Sequence, residues 1–153
     1  MGGEPTRQVD NVLASIHALS NRITRAFESR LDTEHGLSVP EWRVLLSLSG
    51  DAGLTAKDIH ERWAMDKMAV SRAVRRLESH GHVERSANPD DARSYVLTIT
   101  TKGARLFQKI LPSADARYRE ILACLSKKDQ TALKRILKKL IAHSEALAKR
   151  GPR

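Results

Sequence analysis

The 153-residue chain reads as a mainly α protein with one small β-hairpin, and three observations carry that reading. Apolar residues recur at three- and four-residue steps near both ends of the chain, the spacing of long amphipathic helices. In the middle, the helix-capping residues Ser38, Thr55 and Asp66 stand just ahead of shorter helical stretches. Only between Gly81 and Thr100 does the apolar period fall to two, which is the period of strands.

Val12, Ile16, Leu19, Ile23, Phe27 and Leu31 form one stripe, so the first element is a long helix whose connection ends at Gly36. Ser38 and Glu41 stand at the offset of a capping box, in which each side chain satisfies the other's free backbone amide. Pro40 is tolerated there because first-turn amides have no helical partners. The helix they open carries Trp42, Val44, Leu45 and Leu48 and stops between Gly50 and Gly53. Thr55 and Asp58 repeat the device and open a short helix through Trp63. Asp66 caps the next helix, whose buried face is Val70, Val74 and Leu77 and which Gly81 terminates.

After Gly81, Val83 and Arg85 alternate on a short strand, SANPDDARS supplies turn residues, and Tyr95, Leu97 and Ile99 alternate on a returning strand. The helical stripe then resumes as Leu106, Ile110, Tyr118, Ile121 and Leu125. Pro112 is expected to kink or break this helix, because its ring removes one amide and crowds the preceding turn. Ser126 caps a last helix carrying Leu133, Leu137, Leu140 and Leu147, and residues 149–153 read as a frayed tail.

Charge and composition bound the function. Twenty-seven Lys+Arg against 18 Asp+Glu give +9 and a pI near 10.1, which favours a polyanionic partner, either nucleic acid or an anionic membrane surface. No apolar run approaches a bilayer span, and the start MGGEPTRQVDN lacks the apolar core of a secretory signal, so a cytoplasmic protein is expected. The single cysteine, Cys124, excludes an intrachain disulfide framework and a cysteine-based zinc site. Its place beside Ile121 and Leu125 predicts a buried packing role rather than a redox sensor.

Catalysis finds little support. His60-Glu61 lacks the second histidine of a zinc-protease helix, and no glycine-rich phosphate loop occurs, so neither an enzyme nor a cofactor is expected. His80 and His82 flank Gly81 and read as cap or solvent-facing residues, with a metal sensor as the remote alternative.

Two short helices, the second basic on its free face, followed by a hairpin, give a winged helix-turn-helix. With Val70, Val74 and Leu77 inward at 100° per residue, Met68, Ser71, Arg72, Arg75, Arg76 and Ser79 point outward. Lys67, Met68, Ser71 and Arg72 are candidate readers of base edges, while Arg75 and Arg76 are better placed for phosphates. Charge periodicity alone fits a solvated basic face equally well; the hairpin that follows favours nucleic acid.

The succession LTAKDIHERWAMDKMAVSRAVRRLESHGHVERSANPDDARSYVLTITTKG resembles MarR-type transcriptional regulators. It shows their RLE..G..ER exit from the helix, a wing D-x-R as Asp91 and Arg93, and the closing ITTKG, while PEWRVLLSL and the flanking long helices extend the resemblance over nearly the whole chain. The resemblance implies a winged domain over residues 36–103 between dimerisation helices in 1–35 and 104–153. It also implies a homodimer on a pseudo-palindromic operator of double-stranded DNA and a repressor relieved by a small effector. A non-specific architectural DNA-binding protein is the alternative.

On this reading Arg93 reaches the minor groove or backbone with Asp91 bracing its guanidinium, and Arg85 and Lys102 add phosphate contacts. Leu133, Leu137 and Leu140 would pack with Val12 and Ile16 in an intertwined dimer core. The resemblance suggests an aromatic or phenolic effector, anionic or a thioester, with Trp42 for stacking and His17, Arg22, Arg25 or Arg43 for a carboxylate. His60, Trp63, Met68 and Ala69 depart from the residues common in the family, so the base preference does not transfer.

Overall fold

The structure, a computed structural model, describes residues 6–150, with side chains from residue 11 onward. In chain order it comprises α1 (Thr6–His35), α2 (Val39–Gly50), β1 (Leu54–Thr55), α3 (Ala56–Trp63), α4 (Lys67–Ser79), β2 (Val83–Ala87), β3 (Tyr95–Ile99), α5 (Thr101–Leu122) and α6 (Lys127–Arg150). The chain divides into two compact units, Met1–Leu111 and Pro112–Arg153, with the boundary inside α5.

The helix starts are set by local chemistry. Ser38 donates its backbone N–H (2.8 Å) and hydroxyl (2.6 Å) to the Glu41 carboxylate, and Glu41 N–H returns a bond to Ser38 Oγ, the reciprocal box expected of α2. Thr55 and Asp58 form the same box at α3, and Asp66 accepts from Ala69 N–H at 2.9 Å to start α4. Gly81 closes α4 at φ +70°, a left-handed conformation in which a Cβ would be strained. Its neighbour His82 N–H reaches back to Leu77 O at 2.8 Å.

Helices α2, α3 and α4 pack around Val44, Leu45, Ile59, Val70, Val74 and Leu77, all essentially inaccessible. Val83 and Leu97 extend this core beneath the sheet. A second, aromatic cluster joins α1, α2 and the start of α5: Phe107 stacks on Trp42 with ring centroids 5.3 Å apart, and Phe27 meets it edge-on at 5.9 Å.

The hairpin is part of a three-stranded antiparallel sheet of order β1-β3-β2. Val83 pairs with Ile99 and Ala87 with Tyr95, as the period-two pattern implies, but Leu54 and Thr55 add an edge strand opposite Leu97 and Val96. A two-residue strand has too few positions to show a period, so only the hairpin is visible from residue pattern.

Three further expectations need correction. Helix α5 continues through Pro112, so the break among the expected outcomes does not occur; the proline forfeits one amide, Phe107 and Ile110 of the preceding turns are buried, and the boundary between the two compact units falls at this residue. Cys124 is exposed, because α5 ends at Leu122 and the helical spacing that put the cysteine on an apolar face no longer applies in the turn beyond it. Helix α6 continues through Lys149 and Arg150, so the tail expected to fray is helical that far; residues 151–153 lie outside the described residues, as does the Met1–Pro5 start.

Candidate nucleic-acid interface

Helix α4 buries Val70, Ala73, Val74 and Leu77 and turns its remaining face outward. Lys67, Met68, Arg72 and Arg75 are exposed, Met68 at 58%, and Ser71 is half-buried at the edge. No ion pair among the described residues holds Lys67, Arg72 or Arg75, so three cationic heads and one thioether share a single free face.

Arg76 belongs to a different arrangement. Its Nε lies 3.4 Å from Glu41 Oε1, and its Nη2 donates to Gly36 O at 3.2 Å. Glu41 is only 2% exposed, so the guanidinium neutralises a buried carboxylate that also accepts both Ser38 donors. The Arg76 guanidinium, expected to face phosphate, is thus drawn to a buried negative charge in this structure while its side chain stays 56% exposed. Arg85 is likewise engaged, with Nε 3.0 Å from Glu78 across the junction of α4 and β2. Lys102 donates to His80 O at 2.7 Å, satisfying a carbonyl left free at the end of α4.

At the wing tip Asp91 accepts the backbone N–H of Arg93 at 3.0 Å, not its guanidinium. A short carboxylate in a turn finds the amide two residues on more readily than a long side chain that solvent also holds. Asn88 completes the tip, donating to Ser94 Oγ at 2.8 Å and accepting Asp90 N–H at 3.0 Å. Arg93 itself is exposed and unpaired among the described residues. Between the wing, the start of α3 and Ser71 and Val74 of α4 lies an open cleft of ≈ 870 Å³, lined among others by Lys57, Arg85 and Arg93 together with Asp58 and Asp91.

Two residues outside the expected set shape this interface. His60 Nδ1 bonds to Met65 O across the turn between α3 and α4, where Ala64 adopts a left-handed φ of +47° that the sequence does not announce with glycine. Trp63 donates Nε1–H to Ser47 Oγ at 2.9 Å, and the Arg43 guanidinium lies 5.3 Å above its ring. His60 thus ties the end of α3 to the turn before α4, and Trp63 fastens α3 to α2.

The five effector candidates differ in their surroundings. His17, Arg22 and Arg25 are exposed on α1, Trp42 is 1% exposed in the aromatic core, and Arg43 is stacked on Trp63. Trp42 Nε1 is buried without a hydrogen-bond partner among the described residues.

Among the described residues, the carboxyl of Asp58 and the imidazole of His82 are shifted. The Thr55 backbone N–H, then its hydroxyl, hold the Asp58 carboxyl below its ordinary range, with Lys57 and Arg62 assisting. Burial, followed by the positive neighbours Lys102 and His80, pushes His82 below its ordinary value, and Glu41 opposes the shift. The His80 and His82 rings lie parallel with centroids 6.2 Å apart, but no group of three metal-ligating side chains occurs among the described residues.

The sequence profile described as MarR family matches residues 35–94, from the end of α1 to the wing tip. An HTH-type transcriptional repressor of Mycobacterium bovis is 33% identical over 108 residues, which are 69% of this chain and 76% of that protein. The chain belongs to the MarR family. The HTH-type transcriptional regulator TtmR of Methylorubrum extorquens is 32% identical over 110 residues, 71% of this chain but 56% of that longer relative, so the chain spans little more than half of its length.

Among solved structures, a MarR/EmrR family transcriptional regulator from Acinetobacter sp. ADP1 superposes with a TM-score of 0.82 at 26% identity, over 89% of this chain and 96% of that one. A mutant MarR from E. coli, solved in complex with operator DNA, shares the fold with a TM-score of 0.74 at 24% identity, over 90% and 99% of the two chains. In the MarR frame the mainly α architecture with its small antiparallel sheet is a winged helix-turn-helix: α3 and α4 are the helix-turn-helix, and β2 and β3 the wing.

Proposed function

We propose that this MarR family chain is a sequence-specific transcriptional regulator that binds a pseudo-palindromic operator in double-stranded DNA as a homodimer and acts as a repressor released by a small effector. The observation that carries the reading is the free face of α4, where Lys67, Met68, Arg72 and Arg75 stand exposed and unpaired beside a wing that ends in an unpaired Arg93. Lys67, Met68, Ser71 and Arg72 read base edges in the major groove, Arg75 meets phosphates, and Arg93 enters the flanking minor groove or its backbone. Arg76 and Arg85 hold the reading helix and the wing root in place.

Dimerisation is supported by apolar surface that each unit leaves uncovered. Val12, Leu13, Ile16 and Leu19 are exposed on α1, and Ile136, Leu137, Leu140 and Ile141 on α6. Stripes of this length in water favour pairing with a second copy. Sedimentation at micromolar concentration should give the dimer; a folded monomer refutes it.

The interface is tested by competition. Operator binding should persist against excess random duplex, which an architectural protein with only electrostatic affinity would not show. Arg72→Ala should cost about 1 to 3 kcal/mol on the operator and little on random DNA. Arg93→Ala should weaken both duplexes and lower the salt slope by about one unit per symmetric contact. Unchanged binding by both variants would make this face a solvated surface. The effector is an aromatic or phenolic compound, anionic or a thioester, recognised beside α1 and α2 by Trp42 and by His17, Arg22, Arg25 or Arg43. A panel of aromatic acids and their thioesters that neither shifts the melting temperature nor releases the operator removes this part of the reading.

A further inference from the structure

The basic charge that marks this protein as a partner of polyanions is not concentrated on the winged domain. Residues 36–103, which hold that whole domain, carry ten Lys and Arg against nine Asp and Glu. Helix α6 carries eight against two, a net +6 of the chain's +9. At 100° per residue the two side-chain classes separate cleanly. Ile136, Leu137, Leu140 and Ile141 lie on one arc, and the basic pairs that begin at Lys127, Lys134, Lys138 and Lys149 lie on the other. All eight cationic residues are exposed, and no ion pair or side-chain hydrogen bond engages their heads among the described residues.

A solvated face elsewhere in this chain looks different. Arg30 and Lys57 are each matched by a glutamate one turn on, Glu34 and Glu61. On α6 the residue one turn beyond Lys134 is Lys138, and beyond Arg135 it is Lys139. Like charges at this spacing destabilise an isolated helix, and a polyanion lying along them reverses the effect. Asp129, one of the two acidic residues, is committed to the helix start, where its carboxylate accepts the Ser126 hydroxyl.

We infer that the basic arc of α6 is a second, sequence-independent binding surface for duplex DNA, engaged through phosphates. At 24 residues the helix is about 36 Å long, which matches one turn of duplex, about 34 Å. A lipid surface fits less well. Stable seating of an amphipathic helix in a membrane uses its apolar stripe, and that stripe is taken by the second copy in the homodimer. The choice of DNA as the polyanion rests on the proposed function; the existence of an unpaired basic arc does not.

The experiment compares the full-length protein with the variant carrying Lys134→Gln, Arg135→Gln, Lys138→Gln and Lys139→Gln, on a random duplex at several salt concentrations. The slope of log affinity against log salt should fall by about 3 to 4, at roughly 0.9 for each phosphate no longer neutralised. The preference for operator over random duplex should rise, since only the unspecific component is removed. Lys134→Arg, Lys138→Arg and Lys139→Arg together should keep the full slope. If the quadruple variant does not fold, each single Lys→Gln or Arg→Gln variant should still lower the slope by about one unit. An unchanged slope overturns the inference. So does an unchanged slope accompanied by abolished binding to phosphatidylserine vesicles, which would assign the arc to anionic lipid. Failure of the winged-domain reading shows separately, as no operator preference in the unmodified protein.

Discussion

Arg76→Met removes the guanidinium that neutralises Glu41 while keeping the aliphatic stem. Breaking a fully buried pair from one side costs about 3 to 5 kcal/mol, because a charge is left without a partner. Two features reduce that figure here. Arg76 is 56% exposed, so water takes up part of its place, and Glu41 keeps the Ser38 N–H and hydroxyl at 2.8 and 2.6 Å. A loss of about 1 to 2 kcal/mol is expected, equivalent to a fall of roughly 3 to 6 °C in melting temperature. Glu41→Gln in the same background should recover part of it, and a double-mutant cycle should give a coupling near ~1 kcal/mol. Urea unfolding measures the stability, and operator titration at several salt concentrations measures the engagement of DNA. The salt slope should be unchanged, since this guanidinium faces Glu41 and Gly36. Full stability combined with a slope lowered by one unit would show that Arg76 reaches a phosphate, and would refute the bracing role.

Gly103→Ala should cost at least about 2 kcal/mol by thermal or urea unfolding, because a Cβ there would run into the backbone carbonyl of His82; a loss under about 0.5 kcal/mol would contradict the close approach of α5 to the wing root. His82 has its folded pKa depressed, so its contribution to stability is present above the ordinary histidine value of 6.5 and lost as pH falls through the folded value. Melting temperatures from about pH 7.5 down to about pH 5 should therefore drop, and His82→Gln should flatten that part of the profile; an unaltered profile would deny the shift. Asp58 is depressed too, so its capping contribution is present above the usual carboxylate range and fades only in stronger acid. Thr55→Ala should cost about 1 kcal/mol near neutral pH in an unfolding titration, and markedly less once Asp58 is protonated.

The parts legible in the sequence are those written in short range. Ser38 with Glu41, Thr55 with Asp58, and Asp66 each fix a helix start through partners three residues away, and the structure places the helices there. Gly81 and the alternation from Tyr95 to Ile99 likewise need no distant partner. What stays hidden depends on pairings between remote positions. Glu41 announces a cap but not its second bond to a residue of α4, and Arg85 gives no sign that Glu78 holds it. The free face of α4 is visible as a pattern, yet only the folded chain separates the unpaired Arg72 and Arg75 from the committed Arg76. Cys124 marks where local rules give out, since a periodic stripe does not survive the turn that ends its helix, while Pro112 leaves the helix unbroken yet sits where the two compact units divide.

Thr55 occupies one end of the three-stranded sheet, opposite Val96, and at the same time caps α3 through Asp58. One residue therefore belongs to both the β and the α halves of the winged domain, and the root of the wing inherits the orientation of the helix pair. The tip does not: from Asn88 to Ser94 it is held by its own side chains and by bonds across a single turn. Length is thus free to change at the tip without altering where the wing is aimed, whereas an insertion at Leu54 or Thr55 would re-aim it. Across descendants of this chain, diversification of DNA reach should accumulate in the tip and spare the two-residue strand, and loop grafting for altered operator footprints has its natural splice points at Ala87 and Tyr95.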